Sequence, residues 1–464
     1  MRSPPQIDAA DTPAADAAAA QAFEAAAAQR AATRAMDRVA LQALQLKKLN
    51  RLLATVREAG GFYAQMLHAT PGPLEGLDEL PRLPLTTKDE LLPPAAGDRF
   101  ARNLTHGPAA YTRYHQTSGT RGRPMAVLDT AEDWRWWIGC WQHVLDAAGV
   151  TPEDRAVLAF SFGPFVGFWS AFDALAARGV MAIPGGGMSS RARIDLIEKL
   201  HASCLLCTPS YALHLAEVAA ADGVPLAGLG VEKVIVAGEP GGSVPATRQR
   251  IERAWGAKVC DHAGATEVGA WGYGDPGGQG LRIIESEFLA EFLSVETGRP
   301  AGGGELSHLV LTTLGRHGSP VIRYRTGDLV RPRWPSPDGA APGGGPGGDR
   351  SVLLEGGVLG RADDMVTIRG VNIFPSAVEQ VLRGFPEVVD FRITARKRGE
   401  MDELIVEVED HLGEPARVAR ELRLRLGLKI EVRLAPPMSL PRSEGKGHRF
   451  VDLRDAKPRE GGGP

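Results

Sequence analysis

The stretch "KVIVAGEPGGSVPATRQRIERAWGAKVCDHAGATE", from Lys233 to Glu267, contains one full turn of a repeating pattern. An apolar, β-branched run breaks at glycines, a helical pattern opens at Pro245 and closes at Gly256, and a second apolar run ends in a polar segment. The same rhythm runs upstream: "RAVLAFSF", "WSAFDALAARG", "VMAIPGGG", "ARIDLIEKLHA", "CLLCTPS" and "YALHLAEVAAADG" alternate strand and helix patterns. A β-α-β-α order predicts an α/β fold with doubly wound, mostly parallel sheets. Ligands in such sheets gather at the carboxyl ends of strands. "IPGGG", "CTPS", "AGEPGG" and "DHAGATE" all follow apolar runs at those ends.

Outward from this centre, residues 1–15 are rich in Ala, Pro and Asp and read as a disordered tail. From Ala17 to about Glu58 the composition favours helix, with Leu41, Leu44, Leu49, Leu52 and Leu53 on one side. After "LVLTTL" and "VIRYRTGDLV" the strands shorten and turns multiply, which predicts a small antiparallel β-rich subdomain. The segment "PSPDGAAPGGGPGGD" reads as a flexible surface loop, since it has almost nothing to bury. Residues 360–464 read as a compact α+β lid joined to a large domain over 16–359, with a helix over Ala377 to Leu382 and the alternating strand "ELIVEVED".

A chain of 464 residues exceeds what one core usually organises, so two or three units are expected. Its 53 basic and 56 acidic residues nearly cancel, so no global field gathers nucleic acid or an anionic membrane. No apolar run reaches membrane-spanning length, and the N-terminus lacks the order of a signal peptide. Cys140, Cys204, Cys207 and Cys260 are too few for a disulfide framework, and together these features predict a cytoplasmic protein. The lone C-x-x-C of Cys204 and Cys207 lies in an apolar run without a second pair, so structural thiols are expected there.

The segment "YHQTSGTRGRPM", Tyr114 to Met125, suits neither helix nor strand. Gly119 and Gly122 let backbone N–H groups converge, Thr117, Ser118 and Thr120 add hydroxyls, and Arg121 and Arg123 add charge, a concavity suited to a polyphosphate. The same composition would serve a ligand-free hairpin turn. It matches neither the Gly-x-Gly-x-x-Gly spacing nor a Gly-Lys-Ser/Thr ending.

In order along the chain, "QTSGTRGRP", "AGEPGG", "HAGATE", "YRTGDL", "GRADDMVTIRGVNIFP" and "LPRSEGKGHR" resemble the motifs of the adenylate-forming superfamily of acyl-CoA synthetases, adenylation domains and luciferases. The last two segments and "AGEPGG" look most like the phenylacetate-CoA ligase family. The resemblance implies that Thr117, Ser118, Gly119, Thr120 and Gly122 hold the β and γ phosphates of ATP, although Arg121 and Arg123 replace the commoner Thr and Lys. It implies that Gly238, Glu239 and Pro240 flank the adenine, that Thr266 touches the α-phosphate and that Glu267 binds Mg²⁺. Asp328 would accept the ribose hydroxyls with Arg361 beside it, Asp363 would be the hinge, Gly370 would let the pantetheine of coenzyme A pass, and Lys446 would be the adenylation lysine. Asp261 and His262 fall among the ligand-binding positions, where with "GAWGYGD" they could shape the far wall of an acyl pocket.

The activity so implied is ATP-dependent activation of a carboxylic acid to an acyl-adenylate, then transfer to coenzyme A; transfer to a carrier-protein thiol is the alternative. A catalytically silent nucleotide-binding protein is the rival of another class, and the joint presence of Glu267, Asp328 and Lys446 counts against it. Phe160, Phe162, Phe165, Phe168 and Trp169 supply enough aromatic surface for a flat apolar slot, although each alone would fit a plain core; together with the family resemblance they imply an aryl or arylacetic acid, phenylacetate first and benzoate-type acids second. The expected partners are the aromatic acid, ATP and coenzyme A, without nucleic acid or membrane, and with a homodimer as the one protein association allowed for.

Overall fold

The computed structural model describes residues 12–70, 72–93, 99–117, 124–160, 163–336, 348–362, 366–368, 371–398, 401–440 and 449–454. Its centre is a nine-stranded sheet in the order Pro332–Arg333, Leu353–Glu355, Gly280–Ile283, Gly269–Gly274, Lys258–Ala265, Lys233–Val236, Cys204–Cys207, Arg155–Leu158, Met181–Pro184. The last five are mutually parallel. They are the strands of the β-α rhythm, and each needs a crossover helix to return to the same edge.

Helices cover both faces. On one, Ala131–Ala147 and Val166–Arg178 contribute Trp137, Trp141 and Phe168 to a core shared with Leu158, Leu206 and Tyr273. On the other, Ser190–Leu200, Pro209–Ala221 and Pro245–Trp255 bury Ile194, Tyr211 and Trp255 against Val157, Leu205 and Val234. Cys204 and Cys207 belong one to each core, and burial raises both thiols far above the ordinary range. Among the described residues no group of His, Cys, Asp and Glu could hold a metal ion by itself, and no helix is long and apolar enough to cross a membrane.

The sheet turns antiparallel at the tight turn after Ala265, where Gly269–Gly274 folds back on Lys258–Ala265. This is earlier in the chain than the alternation of apolar residues indicates, because Gly269–Gly274 is buried along its whole length and has no polar face to reveal it. A second sheet, in the order Phe288–Ser294, Ser307–Thr313, Tyr324–Val330, Gly360–Arg361, is wholly antiparallel. The N-terminal helix Arg38–Ala59 packs Leu49, Leu52 and Leu53 under it, against Leu289, Leu314 and Ile322. The first helix, Thr12–Arg34, starts inside the segment read as a tail, because its alanine run favours helix and Arg30 and Arg34 anchor its far end on Asp146.

The C-terminal unit has its own core, with Val378, Leu382, Ile393, Val406, Val418 and Leu422 fully buried. Two helices, Pro375–Arg383 and Pro415–Leu426, cover a four-stranded sheet ordered Glu431–Leu434, Met401–Asp410, Val388–Arg398, Phe450–Asp452.

Candidate active site

The strands Tyr111–Gln116 and Ala126–Thr130 form an antiparallel hairpin, with Gln116 opposite Ala126. Thr117 closes its base: its N–H donates to the Met125 carbonyl at 3.0 Å and its Oγ1 accepts the Met125 N–H at 3.0 Å. Ser118, Gly119, Thr120 and Gly122 lie outside the described residues. The Gln116 N–H donates to the carbonyl of Pro164 at 2.7 Å, which sets this hairpin beside the aromatic segment. There Phe168 is core, edge-on to Phe160 at 5.9 Å, while Phe165 is 46% exposed and Trp169 donates its indole N–H to the Gly163 carbonyl. Phe162 is outside the described residues. Burial therefore separates Phe168, a core residue, from Phe165, Phe160 and Trp169, which keep accessible surface.

Gly238, at φ +91°, turns the chain after Lys233–Val236 into a conformation that side chains avoid. The turn it opens folds against the next strand so closely that a Cβ on Gly242 would stand 2.6 Å from the Asp261 carboxyl. Glu239 points to the start of the helix Pro209–Ala221, where its Oε1 accepts the Ser210 N–H at 2.7 Å, and Pro240 follows exposed. Ser243 donates its hydroxyl to Asp261 Oδ2 at 2.5 Å, and the His262 N–H donates to Oδ1 at 3.0 Å. Desolvation nevertheless raises the Asp261 carboxyl from 3.8 to about 6, the two hydrogen bonds offsetting part of the cost. The His262 ring lies tilted against Trp141, centroids 4.2 Å apart, with Nδ1 2.8 Å from the Gly272 carbonyl. A carbonyl can only accept, so Nδ1 carries the proton, and burial lowers the ring to about 4 and keeps it neutral.

The Asp261 shift has a consequence for stability. A carboxyl whose folded pKa is raised stabilises the fold fully below its unfolded value and loses that contribution as pH rises through about 6. Between pH 4 and pH 7 the loss is at most about 3 kcal/mol. Asp261→Asn, which keeps an acceptor for the His262 N–H, is expected to gain stability relative to wild type over that window in melts recorded across pH. A wild type that gains on the variant instead would mean an ionised, well-paired carboxylate.

Thr266 and Glu267 occupy the turn between the central antiparallel strands, closed by the Val268 N–H on the Ala265 carbonyl at 3.0 Å. Glu267 Oε1 accepts the hydroxyl of Tyr324 at 2.8 Å. Burial, and then the Glu267 charge, raise the Tyr324 phenol well above its ordinary range, so it remains a donor. No hydrogen bond to Oε2 occurs among the described residues, and Glu267 is half-buried. An anionic oxygen without a hydrogen bond from the described residues suits a hard divalent cation. Tyr324 begins the "YRTGDL" strand, and Asp328 four residues on pairs with Arg361, whose Nη1 lies 3.1 Å from Asp328 Oδ1 and 2.7 Å from the Thr326 carbonyl.

The structure thus joins "HAGATE" to "YRTGDL" through Tyr324, and Asp328 to Arg361. Asp363, Gly370 and Lys446 lie outside the described residues. Their neighbour Arg449 places its Nε 2.9 Å from Asp390 of the lid and its Nη1 3.9 Å from Glu239 Oε2 of the large domain. Tyr324, Ser243 and Arg316 are residues that sequence reasoning missed. Tyr324 stood inside a recognised motif, whereas Ser243 and Arg316 carry no local signal.

Residues 370–454 match the model of the AMP-binding enzyme C-terminal domain. The phenylacetate-coenzyme A ligase of Thermus thermophilus is 33% identical over 446 residues, covering 89% of this chain and 96% of that protein. That of Escherichia coli is 32% identical over 433 residues, covering 89% and 94%. Among solved structures, 2-hydroxyisobutyryl-CoA ligase in the postadenylation state with 2-HIB-AMP is 28% identical over 90% of each chain, with a TM-score of 0.82. The same enzyme in the thioesterification state with 2-HIB-AMP and CoA, matched over 91% of each chain, gives 0.67. Because it is one enzyme in two states, the difference reports how its parts are arranged, and this chain superposes better on the first of the two. With its ordered motifs, its lid and relatives alike along nearly their full length, the chain belongs to the phenylacetate-CoA ligase family of adenylate-forming enzymes.

Proposed function

We propose that this protein is an AMP-forming acid–thiol ligase that joins an aromatic carboxylic acid, phenylacetate first among candidates, to coenzyme A. The observation that carries the reading is the meeting of Glu267 with Tyr324 of the "YRTGDL" strand, beyond the carboxyl end of the parallel strands. Family membership supports ATP and coenzyme A as the other substrates.

In the first step the acid's carboxylate attacks the α-phosphorus of ATP, forming the acyl–phosphate bond as the bond to pyrophosphate breaks. The protein's part is to hold charges in place. Thr117, Ser118, Gly119, Thr120 and Gly122 hold the departing phosphates, and Thr266 and Lys446 hold the oxygens of the reacting one. Gly238, Glu239 and Pro240 border the adenine with Asp261 behind them, and Asp328 with Arg361 accepts the ribose. Glu267 would hold Mg²⁺, which when bound neutralises the phosphate oxygens. Phe160, Phe165 and Trp169, with His262 on its Trp141 platform, line the acyl side.

In the second step the CoA thiol attacks the activated carbonyl, AMP leaves, and Gly370 lets the pantetheine pass. The lid serves both steps by turning about Asp363. Asp363→Pro fixes φ there and is expected to leave pyrophosphate release within about tenfold of wild type. Transfer to CoA should fall by more than about tenfold, and Gly370→Leu should behave alike. Single-turnover measurement of each half-reaction is the check, and equal losses in both steps would remove the rotating lid from the mechanism.

We place the enzyme in the cytoplasm, which suits four buried free thiols. The test of the function is a panel of phenylacetic, benzoic, short hydroxylated and fatty acids, assayed for pyrophosphate release and for acyl-CoA by mass. Turnover greatest with an aryl acid supports the reading. Release confined to non-aromatic acids removes the aromatic assignment, and adenylate without thioester removes CoA as acceptor.

A further inference from the structure

Arg316 follows the strand Ser307–Thr313 and is fully buried, as is Asp129 on the strand that leaves the phosphate hairpin. Its Nε and Nη2 lie 2.8 and 2.6 Å from Asp129 Oδ1. Its remaining nitrogen, Nη1, donates to the Glu267 carbonyl at 2.7 Å and to the Thr266 carbonyl at 3.3 Å. The guanidinium lies over the Trp137 ring, 5.6 Å from its centroid. The loop that carries it is fixed on the same scaffold: the Gly318 N–H donates to Asp133 Oδ1 at 2.9 Å and the Ser319 hydroxyl to the Leu128 carbonyl.

We propose that Arg316 is a positioning residue for adenylation: one guanidinium ties the Thr266–Glu267 turn to the strand leaving the phosphate loop, so that both grip the nucleotide at one fixed spacing. The inference rests on the adenylation reading above and goes beyond it, since Arg316 touches neither substrate. Two groups face the Asp129 carboxyl: Arg316, and the His115 ring with Nδ1 3.8 Å from Oδ2, itself stacked on the Trp134 ring at 5.2 Å. Burial alone would raise that carboxyl, but the Arg316 charge and the hydrogen bonds hold it below its ordinary range. The pair is therefore ionised and neutral as a unit, and it adds little field at the phosphates. Geometry is what it supplies. A buried planar fork can hold a carboxylate on one edge and two carbonyls on the other, which a lysine cannot do. Misplacing a catalytic group by about 1 Å can cost about a hundredfold in rate.

The test replaces the pair with apolar residues of similar volume, because buried ion pairs often tolerate that exchange when both partners change together. Asp129→Leu with Arg316→Met is expected to keep the wild-type fold by circular dichroism. Acid-dependent pyrophosphate release should fall about tenfold to a hundredfold, and Mg·ATP should bind more weakly by calorimetry. Thioester formation from supplied acyl-adenylate should be unchanged. If the double variant does not fold, Arg316→Lys keeps a cation against Asp129 but cannot span both partners, and the same three readouts decide. Either variant, folded, with wild-type pyrophosphate release and wild-type Mg·ATP affinity reduces the pair to packing. Wild-type protein that releases no pyrophosphate with any acid defeats the adenylation reading itself, a result visible before any variant is made.

Discussion

Glu267→Gln is expected to slow acid-dependent pyrophosphate release by about a hundredfold, the scale for removing a charge-stabilising group from a transition state. The exchange is close to isosteric. The amide oxygen can still accept the Tyr324 hydroxyl, which is 2.8 Å away in the wild type, so the turn need not move. What disappears is the negative charge of the carboxylate. Tyr324→Phe is the complementary change: it removes the hydrogen bond, keeps the charge, and should cost clearly less. Pyrophosphate release titrated with magnesium separates the two, since only the Gln variant should need far more metal. A Gln variant with wild-type rate and wild-type magnesium dependence would strip Glu267 of its assigned role.

Lys446→Ala should slow adenylate formation by two or more orders of magnitude, roughly the scale for a lost charged contact to the reacting phosphate. Thioester formation from supplied acyl-adenylate should survive. The structure supports this through the residues on either side of Lys446. Leu440 is tied to the lid by its N–H on Glu409 Oε1 at 2.8 Å, and Arg449 is tied by Asp390 at 2.9 Å. Arg449 also reaches to within 3.9 Å of Glu239 in the turn assigned to the adenine. The described residues that flank Lys446, Leu440 and Arg449, are both held by the C-terminal domain, and Arg449 also approaches Glu239. If the C-terminal domain turns between the two steps as proposed, the lysine would serve one half-reaction and not the other. Equal loss of both half-reactions, or none, would contradict that assignment.

The helices and parallel strands of the centre were legible because each carries its own signal. Pro245 and Gly256 bracket one helix, Thr208 and Pro209 open another, and apolar runs such as residues 204–207 mark strands buried on both faces. The order of motifs along the chain likewise singled out Glu267, Asp328 and Arg361 as candidates, and the fold brings Asp328 and Arg361 opposite each other on paired strands. The fully buried strand Gly269–Gly274 escaped periodicity because it has no solvent face, and the first helix, read correctly from Ala17 on, starts a few residues earlier, at Thr12, inside the segment read as a tail.

The linear chain by itself therefore determined the fold class and the separate C-terminal domain, and it named the candidate motifs, all of which are encoded within a few turns or strands. Tertiary structure alone decided that Phe168 is core while Phe165 is exposed, because burial depends on which elements pack over a residue. It alone joined Ser243 to Asp261, Tyr324 to Glu267, and Arg316 to Asp129 across 187 positions. The reason is physical: a buried polar group must find a partner wherever the fold brings one, and that partner leaves no trace in the local sequence.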